Sequence, residues 1–375
     1  MNSKLKEVAL VFFKLGCFAF GGPAAHIAMM EDEIIERRKW MTRDYFLDLI
    51  GTTNLIPGPN STEMTMHCGY ERAGKAGLFV AGIAFIIPAT IITAILAYLY
   101  VEYRQVPEVE PFIYGIKPAV LAIITGAILK LGKKAVKSIE LSLLGVLVLT
   151  ASLLGVNEVV ALLSAGVLGM LYFYLKSKTI SNLNTISPFF LFLGMNIAIT
   201  KVSTLKLFLI FLKVGAILYG SGYVLFAYLD AELVTRGLLT RAELIDAIAI
   251  GQFTPGPVLS TSTFIGYQLS GFTGALVATT GIFLPSFLFV LILNPFIPRM
   301  RNSIMLRYFL DSVNVAAVAV MLAVLLVMAK ETLIEWQSIA IALVTMLLTF
   351  RTKISTIWTI IIGAVLGFLL IVLTK

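Results

Sequence analysis

The sequence predicts an all-α polytopic membrane protein made of two homologous halves, and three observations carry that prediction. Apolar residues fill 59% of the 375 positions and charged residues only 13%, with a mean hydropathy of +0.95. The apolar runs are continuous over about a membrane thickness. A set of helix breakers recurs in both halves at a nearly constant offset. A soluble domain of this size carries about 25% charged residues. This chain cannot cover itself with polar groups, so it must present apolar surface to lipid. Continuous runs exclude a membrane β-barrel, whose strands alternate in segments of about 10 residues.

Ten stretches read as spans. They are 8–29, 76–100, 112–130, 138–155 and 157–175 in the first half, and 207–228, 272–296, 308–329, 335–350 and 354–373 in the second. Each lies near the roughly 20 residues that a hydrocarbon core requires. Two further stretches, 45–70 and 243–268, are interrupted by Pro57-Gly58-Pro59 and Pro255-Gly256-Pro257. Proline removes an amide donor and clashes with the preceding turn, so these read as broken or re-entrant helices. The division is an N-terminal repeat over 1–178, a linker over 179–204 and a C-terminal repeat over 205–375. Each repeat has about five spans plus one broken helix. The linker holds one apolar segment, 187–200, too short to assign as a span.

The repeat is legible residue by residue. Phe12-Phe13-Lys14-Leu15-Gly16 matches Phe211-Leu212-Lys213-Val214-Gly215 at an offset of 199, and Gly21 falls on Gly220. Thr42-Arg43, Asp48 and Pro57-Gly58-Pro59 match Thr240-Arg241, Asp246 and Pro255-Gly256-Pro257 at 198. Gly69-Tyr70 and Pro88 match Gly266-Tyr267 and Pro285 at 197. Loop charge switches sign between matched loops. Glu102, Glu108 and Glu110 face Arg299, Arg301 and Arg307; Lys130, Lys133, Lys134 and Lys137 face Lys330, Glu331 and Glu335; and 155–158, which has no base, faces Arg351 and Lys353. Basic loops are cytoplasmic, so the halves are expected to run in opposite orientation, an inverted repeat of the kind transporters use. With five spans per half both termini lie outside, on the wrong side for Lys4 and Lys6. A first helix folded back at Gly21-Gly22-Pro23 would return the N-terminus to the cytoplasm. The N-terminus itself does not read as a cleavable signal.

Helix breaks inside a membrane free backbone groups, and these line water or ligand. Asn60, Ser61, Thr62 and Glu63 follow the first break; Ser260 and Thr261 follow the second, and Thr254 precedes it. A helix starting there points amides and a positive dipole end at the midplane, which suits an anion. A packing kink, with the hydroxyls bonded to their own helix, is the plainer alternative. Gly21-Gly22 and Gly220-Ser221 interrupt apolar helices at equivalent positions, for ligand approach or close helix packing. Lys14 and Lys213 are equivalent intramembrane cations, for substrate contact or for snorkelling to the interface. Lys117 is a further cation at a span start, where anchoring is the simpler role. Glu63 and His67, one turn apart, are candidates for proton coupling, with no acid or histidine at the matching place in the second half. The 31–40 loop reads as an interfacial helix, which Arg43 and Asp48 can tie down by ion pairs. Two cysteines and two histidines give no disulfide framework and no metal spacing. No phosphate-binding loop is present, so no cofactor or nucleotide chemistry is expected.

Phe13-Lys14-Leu15-Gly16, Phe20-Gly21-Gly22-Pro23-Ala24-Ala25-His26-Ile27, Trp40-Met41-Thr42 and Pro57-Gly58-Pro59, with Gly251-Gln252-Phe253-Thr254-Pro255-Gly256-Pro257, Phe264-Ile265-Gly266-Tyr267 and Phe283-Leu284-Pro285 in the second half, resemble the chromate ion transporter family in its two-domain long form. The resemblance implies a prokaryotic cytoplasmic-membrane exporter of chromate, a tetrahedral dianion much like sulfate, and not an enzyme. An anion channel, or a transporter of another anion, is the competing reading. The expected partners are the oxyanion and the lipid bilayer, with a homodimer as an open assembly and no nucleic acid. Tyr219-Gly220-Ser221-Gly222 departs from the family's Phe-Gly-Gly-Gly, and Leu238-Leu239 replaces an expected tryptophan.

Overall fold

A computed structural model describes residues 3–19, 23–53, 56–104, 106, 109–177, 203–219, 222–293, 303–352 and 354–374. Among the described residues every regular element is helical. The first half contains α1 (Ser3–Phe18), α2 (Pro23–Met30), α3 (Arg43–Thr53), α4 (Asn60–Tyr103), α5 (Glu110–Ala135), α6 (Ile139–Leu153) and α7 (Glu158–Ser177). The second contains α8 (Thr204–Ile217), α9 (Leu225–Leu229), α10 (Arg241–Phe253), α11 (Thr261–Leu293), α12 (Ile304–Thr332), α13 (Trp336–Arg351) and α14 (Thr356–Thr374). The 187–200 segment lies outside the described residues.

The expected span 8–29 is not one helix. α1 stops at Phe18, and α2 begins at Pro23, whose missing amide cannot extend a preceding helix. The chain then folds back: Arg38 and Trp40 reach Glu7 Oε1 at 2.9 and 3.3 Å, at the start of α1. The same division splits 207–228 between α8 and α9. Both Pro-Gly-Pro breaks stand where the sequence places them, between α3 and α4 and between α10 and α11. α4 and α11 each contain a second reversal, in the gaps that separate the stretches 45–70 and 76–100, and 243–268 and 272–296. Ala73-Gly74 has φ/ψ of −146/24 and 63/−154, and Ser270-Gly271 has −150/26 and 60/−150. These turns separate short arms (60–72, 261–269) from long apolar arms (75–103, 272–293). The arms touch through glycine: a Cβ on Gly69 would lie 2.4 Å from Gly77 O, and one on Gly266 would lie 2.3 Å from Gly274 O.

Among the described residues five helices are long and apolar enough to cross a membrane: 60–103, 110–135, 158–177, 258–293 and 304–332. Shorter apolar helices are Ile139–Leu153, Trp336–Arg351 and Thr356–Val372. Three of the crossing-length helices fall in the first half and two in the second, and in each half they begin with the helix that follows the Pro-Gly-Pro break.

Packing runs across the halves. α5 lies against α13 and α14, and α12 lies against α6 and α7. Phe112 stacks on Phe368 at 4.6 Å, while a Cβ on Gly363 would meet the Ala119 methyl at 2.5 Å, so α5 and α14 run antiparallel. α7 and α12 do the same, with Gly166 against Val313 and Phe173 stacked on Tyr308. The long arms of α4 and α11 cross likewise: Leu78 packs with Val290, and Gly82 meets Phe287. Ion pairs mark the two ends of the bundle. Lys137–Asp311 at 2.6 Å joins the start of α12 to the α5–α6 loop. At the other end Arg104 pairs with Glu243 at 2.8 Å, Tyr114 donates to Glu335 at 2.8 Å, and Arg241 pairs with Glu331.

Candidate functional site

The two Pro-Gly-Pro tips are held in the same way, each by the opposite half. Gly58 N–H donates to Leu218 O at 2.6 Å, and Gly256 N–H donates to Ala19 O at 2.9 Å. Ala19 and Leu218 are equivalent under the repeat, each just beyond the first helix of its half. Gly58 and Gly256 have φ of +139° and +80°, a region that a Cβ disfavours. Each tip therefore sits beside the break in the other half's first helix. Gly21, Gly22, Gly220 and Ser221, at those breaks, lie outside the described residues. Beyond the tips, Thr62 and Glu63 amides donate to Pro59 O at 2.8 and 3.1 Å, and the Ser260 amide donates to Pro257 O at 2.9 Å.

The side chains at the two tips differ. Thr254 Oγ1 donates to Gly251 O at 3.2 Å and stands 3.4 Å from Ser260 Oγ; Thr261 Oγ1 donates to Val258 O at 2.8 Å. Thr254 and Thr261 thus direct their protons at chain carbonyls, the arrangement of a well-packed kink. At the first tip Asn60 opens α4, and Ser61, Thr62 and Glu63 are buried behind it. Thr62 Oγ1 and both Glu63 oxygens have no hydrogen-bond partner among the described residues. His67 is buried one turn further along α4.

The equivalent lysines are unequal. Lys213 pairs with buried Glu232 at 2.7 Å, and Arg236 holds the other carboxylate oxygen at 2.9 Å. Lys14 is exposed on α1. Glu33, the equivalent of Glu232, is bound instead by Arg38 at 2.9 Å and by Arg37 at 3.7 Å. Both glutamates lie in π-helical turns, Glu31–Arg37 and Asp230–Val234. Sequence reasoning passed over this pair, although Glu33 and Arg37 fall on Glu232 and Arg236 at the repeat offset. Arg43 binds Glu31 at 3.0 Å and Arg241 binds Asp230 at 2.9 Å, so the same tie recurs in both halves. Asp246 anchors Lys117 at 3.6 Å and accepts from Tyr100 at 2.7 Å. A cavity of about 260 Å³ beside Lys117, lined also by Tyr114, Glu331, Glu335 and Ser338, includes neither tip. His26, noted in the sequence only as part of a motif, is buried and places Nε2 3.1 Å from Ala19 O, the oxygen that also receives Gly256. Among the described residues no cluster of His, Cys, Asp or Glu is suited to a metal ion.

The family model described as chromate transporter matches residues 6–170 and 205–368. The chain belongs to the chromate transporter family. It is a multi-pass membrane transport protein, and the matched segments are the two halves found in the sequence. The chromate transport protein of Cupriavidus metallidurans is 30% identical over 369 residues, covering 96% of this chain and 92% of that protein. A probable chromate transport protein of Synechococcus elongatus is 28% identical, covering 97% and 95%. An uncharacterized transporter of Methanocaldococcus jannaschii is 26% identical, covering 99% and 95%. No solved structure matches this chromate transporter family member.

Proposed function

We propose that the protein is a secondary transporter that exports a tetrahedral oxyanion, chromate or sulfate, across the cytoplasmic membrane. The observation that carries this reading is the reciprocal bonding of Gly58 to Leu218 and of Gly256 to Ala19. It brings two interrupted helices of one half against those of the other, the arrangement that transporter sites share. The half-helices beyond the tips present positive ends, which favour an anion. The names of the Cupriavidus and Synechococcus relatives favour chromate.

The two transporter repeats, 1–178 and 205–375, are proposed to be inverted. Support comes from the antiparallel crossings of α5 with α14, α7 with α12, and the long arms of α4 and α11. The end of the bundle that carries Lys133, Lys134, Lys137 and Arg351 is assigned to the cytoplasm. Glu7 binds Arg72 at 2.7 Å, next to the start of the 75–103 arm, which puts Lys4 and Lys6 at that same end. An inside-negative potential drives a dianion outward, by about 2.3 kcal/mol per charge per 100 mV.

The test uses inverted vesicles loaded with the protein and labelled chromate or sulfate. With the potential clamped at zero, accumulation driven by an imposed ion gradient is expected. Flux that follows the potential alone would make the protein a channel, and no flux of either anion would remove the oxyanion reading.

A further inference from the structure

The two tips are near copies in backbone and unlike in side chains. At the second tip the hydroxyls of Thr254, Thr261 and Ser262 donate to Gly251, Val258 and Leu259 carbonyls, and Thr263 is paired with Thr279. At the first tip Glu63 Oε1 and Oε2, Thr62 Oγ1 and Ser286 Oγ have no hydrogen-bond partner among the described residues. Thr62, Glu63 and Ser286 are each 0% exposed. Two of these oxygens converge on one point: a Cβ built on Gly58 would lie 2.2 Å from Glu63 Oε1 and 2.5 Å from Ser286 Oγ. The repeat sets Ala89 where Ser286 stands, and the Ala89 methyl lies 2.9 Å from the matching point on Gly256. A carboxylate from α4 and a hydroxyl from α11 are thus added at one tip only.

Enclosed oxygens of this kind need a partner. A proton on Glu63 removes its charge but leaves the Ser286 and Thr62 lone pairs unmatched. A small hard cation accepts carboxylate and hydroxyl oxygens together, and interrupted helices at the middle of transporters hold such ions. No lysine or arginine forms an ion pair with Glu63 among the described residues; Tyr219, at the end of the α8 segment, lies within its electrostatic reach, and His67 is buried one turn along α4.

We propose that the first Pro-Gly-Pro tip is a binding site for a dehydrated sodium ion, ligated by the Glu63 carboxylate with Ser286 Oγ. The site's use in coupling rests on the transporter reading above, but its occupancy does not. Sodium binding is therefore measured on the full chain in detergent at alkaline pH with no oxyanion present, by thermal stability in sodium, potassium or choline chloride at equal ionic strength and by radioactive sodium binding. Sodium is expected to raise the melting temperature in a saturable way that potassium and choline do not reproduce. Ser286→Ala and Glu63→Gln should weaken sodium binding about tenfold or more, while Ala89→Ser at the other tip leaves it unchanged. Folded wild-type protein with no sodium-specific shift overturns the proposal, as does a stabilisation that responds to pH alone. Undiminished sodium binding by folded Glu63→Gln overturns it too. Sodium binding without oxyanion flux in vesicles would instead sink the transport reading and leave the site standing.

Discussion

The amide of Gly256 donates to the carbonyl of Ala19 at 2.9 Å, across the boundary between the two halves. Its counterpart, Gly58 to Leu218, closes the same contact in the other direction at 2.6 Å. Each tip is thus clamped by the half to which it does not belong, and the clamp needs a positive φ. Alanine at position 256 meets a left-handed backbone, a penalty of about 1–2 kcal/mol, and its Cβ would lie 2.9 Å from Ala89 and 3.3 Å from Gly16 O. Gly256→Ala is expected to lower the melting temperature in detergent, and Gly58→Ala likewise. Unchanged melting in both would show that the clamp contributes nothing.

Much of this was legible in the sequence because helix breakers and repeats are local signals. Pro57-Gly58-Pro59 and Pro255-Gly256-Pro257 announce interruptions whatever surrounds them. The reversals at Gly74 and Gly271 fall where the apolar pattern lapses, at Glu71, Arg72 and Lys75 in the first half and at Gln268 and Ser270 in the second, which is where the stretches 45–70 and 243–268 end. The fold-back of α2 onto α1 was left open because hydropathy counts apolar length and not direction, and 8–29 has the length of a span. At the site, composition marked both tips as hydroxyl-rich. Only coordinates separate hydroxyls that donate to their own carbonyls, such as Thr261, from one that does not, such as Thr62. Ser286 could have been found by carrying the repeat one residue past Pro285 and asking why alanine faces serine.

The unequal lysines make a second test. Removing Lys213 leaves Glu232, 1% exposed, with Arg236 as its remaining partner. Because that partner persists, the loss is set at about 1–2 kcal/mol, within the range of a hydrogen bond to a charged group. Lys213→Ala should therefore lower thermal stability, whereas Lys14→Ala should change it little, since Lys14 is exposed. Equal melting temperatures for the two variants would contradict the assignment of Lys213 as the residue that positions Glu232.

Orientation yields a third. If the repeats are inverted, matched loops lie on opposite sides of the membrane. With Cys17 and Cys68 replaced, a cysteine at Lys133 is expected to label from the cytoplasm and one at Glu335 from outside. Cysteines at Lys176 and Thr204, both exposed, should also label from opposite sides, because α7 ends at the lysine-rich end and α8 starts at the other. Labelling of 176 and 204 from one side would leave the halves parallel, and the inverted repeat would fail.

The last prediction separates the structural from the functional hydroxyls. Thr261 Oγ1 donates to Val258 O at 2.8 Å, whereas Thr62 Oγ1 is enclosed with no hydrogen-bond partner among the described residues. Valine has nearly the shape of threonine without the hydroxyl. Removing a satisfied hydroxyl costs about 1 kcal/mol, while removing an unmatched buried one is neutral or stabilising in the absence of ligand. Thr261→Val should therefore melt lower than wild type and retain most oxyanion export. Thr62→Val should melt at or above wild type and lose export. Replacing Pro57 and Pro59 with alanine lets the helix run through the tip, which removes the bend that turns Gly58 toward Leu218, so export should vanish; Pro255 and Pro257 should behave alike. Stability is read by thermal melting in detergent and export by uptake into inverted vesicles. If Thr62→Val melts low and exports normally, its hydroxyl serves packing alone. If folded proline variants export at the wild-type rate, both tips are kinks in a scaffold and the substrate path lies elsewhere in the bundle.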